Sequence, residues 1–155
     1  MLQKVISGGQ TGADQAGIKA AKACGIETGG WLPKGCITLE GPRPDLLSEF
    51  GMKEHAVSGY PPRTEANVRD SDGTIRFAEK FSSAGEKCTL RAIKWFNRPH
   101  FDVDVKNPKD KSLLLNWLRE NEIKVLNIAG NSEETSPGIE AFVYNYLSEI
   151  FSEFS

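Results

Sequence analysis

The chain has 155 residues, 39% of them hydrophobic and 26% charged, with a formal net charge of -2. A length near the usual domain size of about 100–150 residues suits one core without staples. The near-balanced charge supplies no basic surface of the kind that nucleic acid or an anionic membrane demands. Cys24, Cys36 and Cys88 are scattered and odd in number, fitting neither a disulfide framework nor Cys-x-x-Cys metal spacing, so no protein-ligated metal is expected. No apolar run approaches the roughly 20 residues of a bilayer span and no signal-peptide pattern opens the chain, so a cytoplasmic location is expected.

The first fourteen residues carry the strongest local signal. Val5-Ile6-Ser7 reads as a short strand running into Gly8-Gly9-Gln10-Thr11-Gly12-Ala13-Asp14 and then a helix. A strand, a glycine turn and a helix in that order make an anion site, because the first helical turn leaves backbone N–H groups unpaired. The turn is neither a P-loop, since no lysine follows Gly12, nor the Gly-x-Gly-x-x-Gly dinucleotide fingerprint. The plain alternative is a tight turn in which Thr11 or Asp14 caps the next helix.

Alanine-rich residues 12–24 suit a helix packed close to a sheet and ended by Gly25, with a second strand over Ile26 to Trp31. In Gly30-Trp31-Leu32-Pro33-Lys34-Gly35, the Trp31 ring can stack on a flat ligand and Lys34 can meet a negative charge; equally, Trp31 can anchor the loop to the core. Residues 36–63 read as a long loop excursion over the site, with a short helix at Asp45 to Gly51 and a scrap of strand at His55 to Val57.

Thr64 to Ser71 reads as a helix whose start groups Arg63, Thr64 and Asn67 as a second anion contact, and Thr74 to Ala78 as a third strand. Ser83 and Gly85 lie in a small-residue turn before a helix over Leu90 to Asn97. Phe101 to Val105 alternates like a fourth strand, and Ser112 to Glu120 is an amphipathic helix with Leu114, Trp117 and Leu118 on one side. Lys124 to Ala129 is the most strand-like stretch. It leads through Gly130, Ser136 and Gly138, a third turn able to hold an anion, to a helix over Ile139 to Phe151.

Apolar strands alternating with helices predict an α/β fold, a mostly parallel twisted sheet with helices on both faces. Ligands bind such sheets at the carboxyl ends of the strands. The turns at 8–14, 70–73, 82–85 and 130–138 are therefore expected along one edge.

The ordered set Gly8 to Asp14, Gly30 to Gly35, Tyr60-Pro61-Pro62-Arg63-Thr64-Glu65-Ala66-Asn67-Val68, Ser71-Asp72-Gly73-Thr74 and Leu126 to Gly130 resembles the molybdenum-cofactor carrier family, a circularly permuted YpsA-like branch of the SLOG (Smf/DprA and LOG) superfamily. The resemblance covers nearly the whole chain. It implies a single Rossmann-like three-layer domain over 1–155 that forms a homo-oligomer, dimer or tetramer. The implied ligand is small and anionic, either molybdenum cofactor (molybdopterin) or a nucleotide. By that match Gly8, Gly9, Thr11, Gly12, Lys34, Arg63, Asn67, Ser71, Asp72 and Gly73 take binding roles. Gln10, Asp14, Trp31, Gly35, Thr64, Ser83, Gly85, Gly130, Ser136 and Gly138 join them from the readings above. The chain departs from the family at Glu86, where a hydroxyl is expected, and at Asn131-Ser132, where an arginine is expected. Both changes lower the expected attraction for an anion.

Three functions follow as alternatives. A binding or carrier protein, favoured over an enzyme, needs only donors, cations and a stacking ring. An N-glycosidase acting on nucleoside monophosphates needs a carboxylate near the anomeric carbon, for which Glu65 and Asp72 are the candidates. A nucleotide-sensing regulator would use the apolar face of the last helix, with Phe142, Tyr146, Ile150 and Phe151, as its oligomer contact.

Overall fold

The computed structural model describes residues 1–154. In chain order the elements are β1 (Lys4–Ser7), α1 (Ala13–Ala23), β2 (Glu27–Gly29), β3 (Trp31–Leu32), a 3-10 turn (Lys34–Cys36), β4 (Ile37–Thr38), β5 (Gly41–Pro42), α2 (Asp45–Phe50) and β6 (Lys53–Glu54). They continue with α3 (Tyr60–Arg69), β7 (Gly73–Ala78), α4 (Ala84–Phe96), β8 (His100–Asp104), α5 (Lys111–Glu120), β9 (Val125–Gly130), α6 (Ile139–Phe151) and a last 3-10 turn (Ser152–Phe154).

Five strands form one sheet in the order β2-β1-β9-β7-β8, every pairing parallel. β9, last in the chain, is central: Leu126 pairs with Val5 on one side and Ile128 with Ile75 on the other. This is a Rossmann-like α/β sheet, as the alternation of elements predicts. The connection through α1 steps outward from β1 to β2, while that through α4 steps the other way, from β7 to β8. Right-handed crossovers therefore put α1 and α4 on opposite faces and open a crevice at the carboxyl ends between them.

The two faces differ in chemistry. Val5, Ile75, Phe77, Leu126 and Ile128 point to one side, into the main core shared with α1, α5 and α6. The alternate residues Thr74, Arg76 and Asn127 are also buried, but they point to the side covered by α3 and α4, where Val68, Ala92 and Ile93 make only a small apolar cluster. A parallel sheet covered on both faces normally carries apolar runs in its central strands. Here one face is polar within the core.

Several expectations change. Tyr146, Ile150 and Phe151, expected at an oligomer surface, are buried in the main core and Phe142 packs half-buried against it, since the apolar stripe of α6 closes the sheet's own face. Residues 36–63 are less irregular than expected: Leu46, Phe50 and Met52 build a second small core with Ile18 and Leu32, which orders α2 and the short strands around it. α3 starts at Tyr60, before the expected start at Thr64, because Pro61 and Pro62 fall in its first turn, where no intrahelical N–H bond is lost. α4 starts at Ala84 because the Ser83 side chain caps it, accepting from Glu86 N. No helix among the described residues is long and apolar enough to cross a membrane.

Candidate functional site

A cleft of about 350 Å³ opens at the carboxyl ends of β1 and β9, walled by the starts of α1, α3 and α4. Among the residues singled out from the sequence, Gly8, Gln10, Asp14, Arg63, Thr64, Asn67, Ser83, Gly85 and Gly130 border it, and Leu39 and Tyr60 from the 36–63 segment line it too. Gln10 ties that segment down, its Oε1 accepting from Leu39 N at 2.9 Å.

Arg63 is the cation of the cleft. Its Nη1 donates to Thr64 Oγ1, its Nη2 stands 3.8 Å from Asp14 Oδ2, and the guanidinium lies 5.1 Å from the Tyr60 ring centre. Asp14, in the first turn of α1, is buried, and burial pushes its carboxyl up to about 6 against the opposing pull of Arg63 and of the Gln10 and Gly8 N–H groups. Glu86, in the first turn of α4, is 2% exposed. Burial drives it up to about 7; Arg76 opposes, while Asp14 and Asp102 add like-charge repulsion.

Arg76 makes only a long ion pair with the Glu86 carboxyl and no hydrogen bond to it. It grips Asp102 through two hydrogen bonds of 2.9 and 2.6 Å and donates from Nη1 to the Glu86 carbonyl, which leaves the Glu86 carboxyl 3.9 Å away. Asn127 Nδ2 donates to Thr74 Oγ1 at 3.2 Å. Three buried side-chain atoms have no hydrogen-bond partner among the described residues: Arg63 Nε, Glu86 Oε1 and Asn127 Oδ1. All three belong to side chains that border this cleft. An orphaned buried polar atom is expensive, so three around one cavity mark a place where a ligand completes the bonding.

Other sequence-derived candidates lie elsewhere. Gly9 packs against Leu32 and Met52, and Gly12, at φ +86, brings its backbone so near Asn131 O that a β-carbon would stand 2.5 Å from it. Thr11 donates to Glu134 and accepts from Glu133 N. Ser136 donates to Glu79, and the N-terminus of α6 is already satisfied from within, since Glu133 accepts from Gly138 N and Glu140 N. Trp31 donates to Asp70 through its indole N–H and meets His55 edge-on, outside the cleft. Asn67 borders the cleft but spends its amide on the Trp31 backbone, accepting from Trp31 N and donating to Trp31 O. Lys34 is exposed on the 3-10 turn, and Gly35 N donates to Glu54.

Ser71, Asp72 and Gly73 do not share the edge expected for them. Ser71 and Asp72 precede β7 and Gly73 opens it, so all three sit at the amino ends of the strands, where Asp72 accepts from Lys124 N and Val125 N and Ser71 donates to Val68 O. Glu65 is exposed on α3. Neither glycosidase candidate reaches the cleft. The residues that sequence reasoning missed there are Glu86 in any positive role, Asn127, and Arg76 behind them. Their signal was present as Thr74, Arg76 and Asn127, polar residues alternating with apolar ones in two strands at the centre of a sheet. Asn131, noted as a departure, is structural: its Oδ1 accepts from Glu79 N and Lys80 N.

Among the described residues no three His, Cys, Asp or Glu side chains are grouped to hold a bare metal ion. No curated protein matches the chain. A crystal structure described as a "putative molybdenum carrier protein" from Syntrophus aciditrophicus SB superposes with a TM-score of 0.89 at 34% identity, covering 97% of this chain and 94% of that one. A structure of (E)-4-hydroxy-3-methyl-but-2-enyl diphosphate reductase aligns with a TM-score of 0.40 at 12% identity over 96% of this chain and 59% of its own, too low a likeness to bear on the fold or the site. The profile described as the circularly permutated YpsA SLOG family matches residues 5–151, and the chain belongs to that family.

Proposed function

We propose that the protein is a binding or carrier protein for a small anionic, ring-bearing molecule of the nucleotide or pterin-phosphate class. The observation that carries the reading is the trio of partnerless buried atoms, on Arg63, Glu86 and Asn127, around one cleft at the switch point of the sheet. Arg63 and the first turn of α4 supply positive potential for a phosphate. Glu86 and Asn127 meet the ring. The likeness to a protein described as a molybdenum carrier supports a pterin-bound form of that metal as one candidate, because the unpartnered Glu86 and Asn127 acceptors suit the donors of a pterin ring and the metal would arrive already chelated. Cytoplasmic location and assembly into a homo-oligomer belong to the same proposal.

The test is native mass spectrometry of freshly purified protein, with identification of whatever denaturation releases. A phosphorylated nucleotide or pterin is the expected cargo. A protein that carries nothing and binds neither nucleoside monophosphates nor a pterin phosphate at millimolar concentration would overturn the reading.

A second reading rests on one specific observation, the presence of two carboxyls of raised pKa, Asp14 and Glu86, in the same cleft. Such a pair suits hydrolysis of a nucleoside monophosphate at the glycosidic bond, in which water adds across the C1′–N bond to give free base and ribose phosphate. Glu86 or Asp14 would act there, in place of Glu65 and Asp72. Release of free base by the wild type, lost in Glu86→Gln, would favour this enzyme over the carrier.

A further inference from the structure

The unpartnered atoms differ in kind. Glu86 Oε1 and Asn127 Oδ1 are acceptors; Arg63 Nε is a donor belonging to the group that would meet the phosphate. Glu86 is 2% exposed and Asn127 3%, and each has its other polar surroundings fixed: Arg76 is held by Asp102, and the Asn127 amide nitrogen by Thr74. Two buried acceptors without donors call for a ligand ring with a donor-rich edge.

Resting on the proposed binding function, we infer that Glu86 and Asn127 select the 2-amino-4-oxo-pyrimidine edge that guanine and pterins share. On that edge a ring N–H and an exocyclic amino group lie side by side. The Glu86 carboxylate accepts from both, and Asn127 Oδ1 takes the remaining amino hydrogen. Adenine presents one amino group beside a bare ring nitrogen, and that lone pair would face the carboxylate. Hypoxanthine keeps the ring N–H and lacks the amino group, leaving one acceptor orphaned. Sites built to hydrogen-bond a donor reject the analogue without it, because the buried partner is then left unpaired. The Glu86 carboxylate, which departs from the hydroxyl of the family pattern, thereby becomes the residue that reads the ring.

The experiment is calorimetric titration of the full chain at pH 8, where Glu86 is ionised, with GMP, IMP, AMP and a pterin monophosphate, repeated on Glu86→Gln and Asn127→Leu. GMP and the pterin phosphate are expected to bind at least about tenfold more tightly than IMP and AMP. Glu86→Gln keeps the Arg76–Asp102 pair and is expected to collapse the GMP-to-IMP ratio towards one, with AMP affinity held or raised. The GMP-to-pterin ratio identifies which source of the shared edge the cleft prefers. Equal affinity for GMP, IMP and AMP, or an unchanged GMP-to-IMP ratio in both variants, overturns the inference and leaves the binding function standing. Failure of all four probes at millimolar concentration overturns both.

Discussion

The Arg63 guanidinium lies directly on Gly8: a β-carbon added there would stand 2.6 Å from both Cζ and Nε of the arginine. The glycine is needed for that approach, not for an unusual backbone angle. Gly8→Ala is therefore expected to displace Arg63 while leaving the turn intact. The cost in stability is that of modest overpacking, ~1–3 kcal/mol, and nucleoside monophosphate affinity should fall about tenfold or more as the cation is misplaced. Thermal melting and titration separate the two effects. Wild-type affinity in Gly8→Ala would show that Arg63 does not contact the ligand.

Asp72 offers the opposite case. It stands at the amino end of the sheet and stitches β7 to β9 by accepting from Lys124 N and Val125 N, at 3.0 and 2.8 Å. Asp72→Ala should cost only ~1 kcal/mol of stability, because the two bonds are exposed and water can reach the freed amides, and leave ligand affinity at the wild-type value. A binding titration at a temperature where the variant is fully folded checks this.

These two residues show where sequence reasoning succeeds and stops. The Gly8 turn was legible because a strand, a glycine cluster and a helix follow one another within fourteen residues, and parallel topology then fixes which end of the sheet they reach. Asp72-Gly73 has the same composition of small and acidic residues, but it stands at the start of its strand, and polarity along the chain decides the edge. Lys34 and Trp31 looked like ligand contacts by residue type, yet local bonds to Asp70, Glu54 and Asn67 occupy the Trp31–Gly35 loop. Glu86 was visible only as a missing hydroxyl. Its role depends on Arg76 and Asn127 lying beneath it, a juxtaposition across two strands and a helix that no local window contains.

Arg76 is 4% exposed, and Asp102 supplies both of its short hydrogen bonds. Burial works to raise the Asp102 carboxyl, but bonds from Arg76 and His100 outweigh it and hold the group below the usual carboxylate range. Asp102→Asn keeps the shape and removes the charge. Stability should drop by ~2–4 kcal/mol, since a buried guanidinium loses its counter-ion, and Arg76 should turn to the Glu86 carboxyl, 3.9 Å away. Affinity for GMP should fall with it, because the acceptor is then engaged. Urea denaturation and titration of this one variant test both consequences, and undiminished GMP binding would show that Glu86 does not meet the ring.

Asp14 and Glu86 predict an unusual direction for stability against pH. Burial lifts the two carboxyls to about 6 and about 7, whereas in the unfolded chain both lie near ~4. Between those limits the folded protein holds more protons than the unfolded one, so stability falls as pH rises from ~4 to ~7 and then levels off. Each ionisation in place costs ~3 kcal/mol relative to the open chain. The wild type should therefore unfold at lower urea at pH 8 than at pH 5. Glu86→Gln removes one of the two groups and relieves the repulsion on the other, so it should gain stability at pH 8 and show a flatter profile. A urea midpoint that rises from pH 5 to pH 8 in the wild type would mean that the cleft accommodates both charges at no cost, and with it the argument for a pair of strained acids would fail.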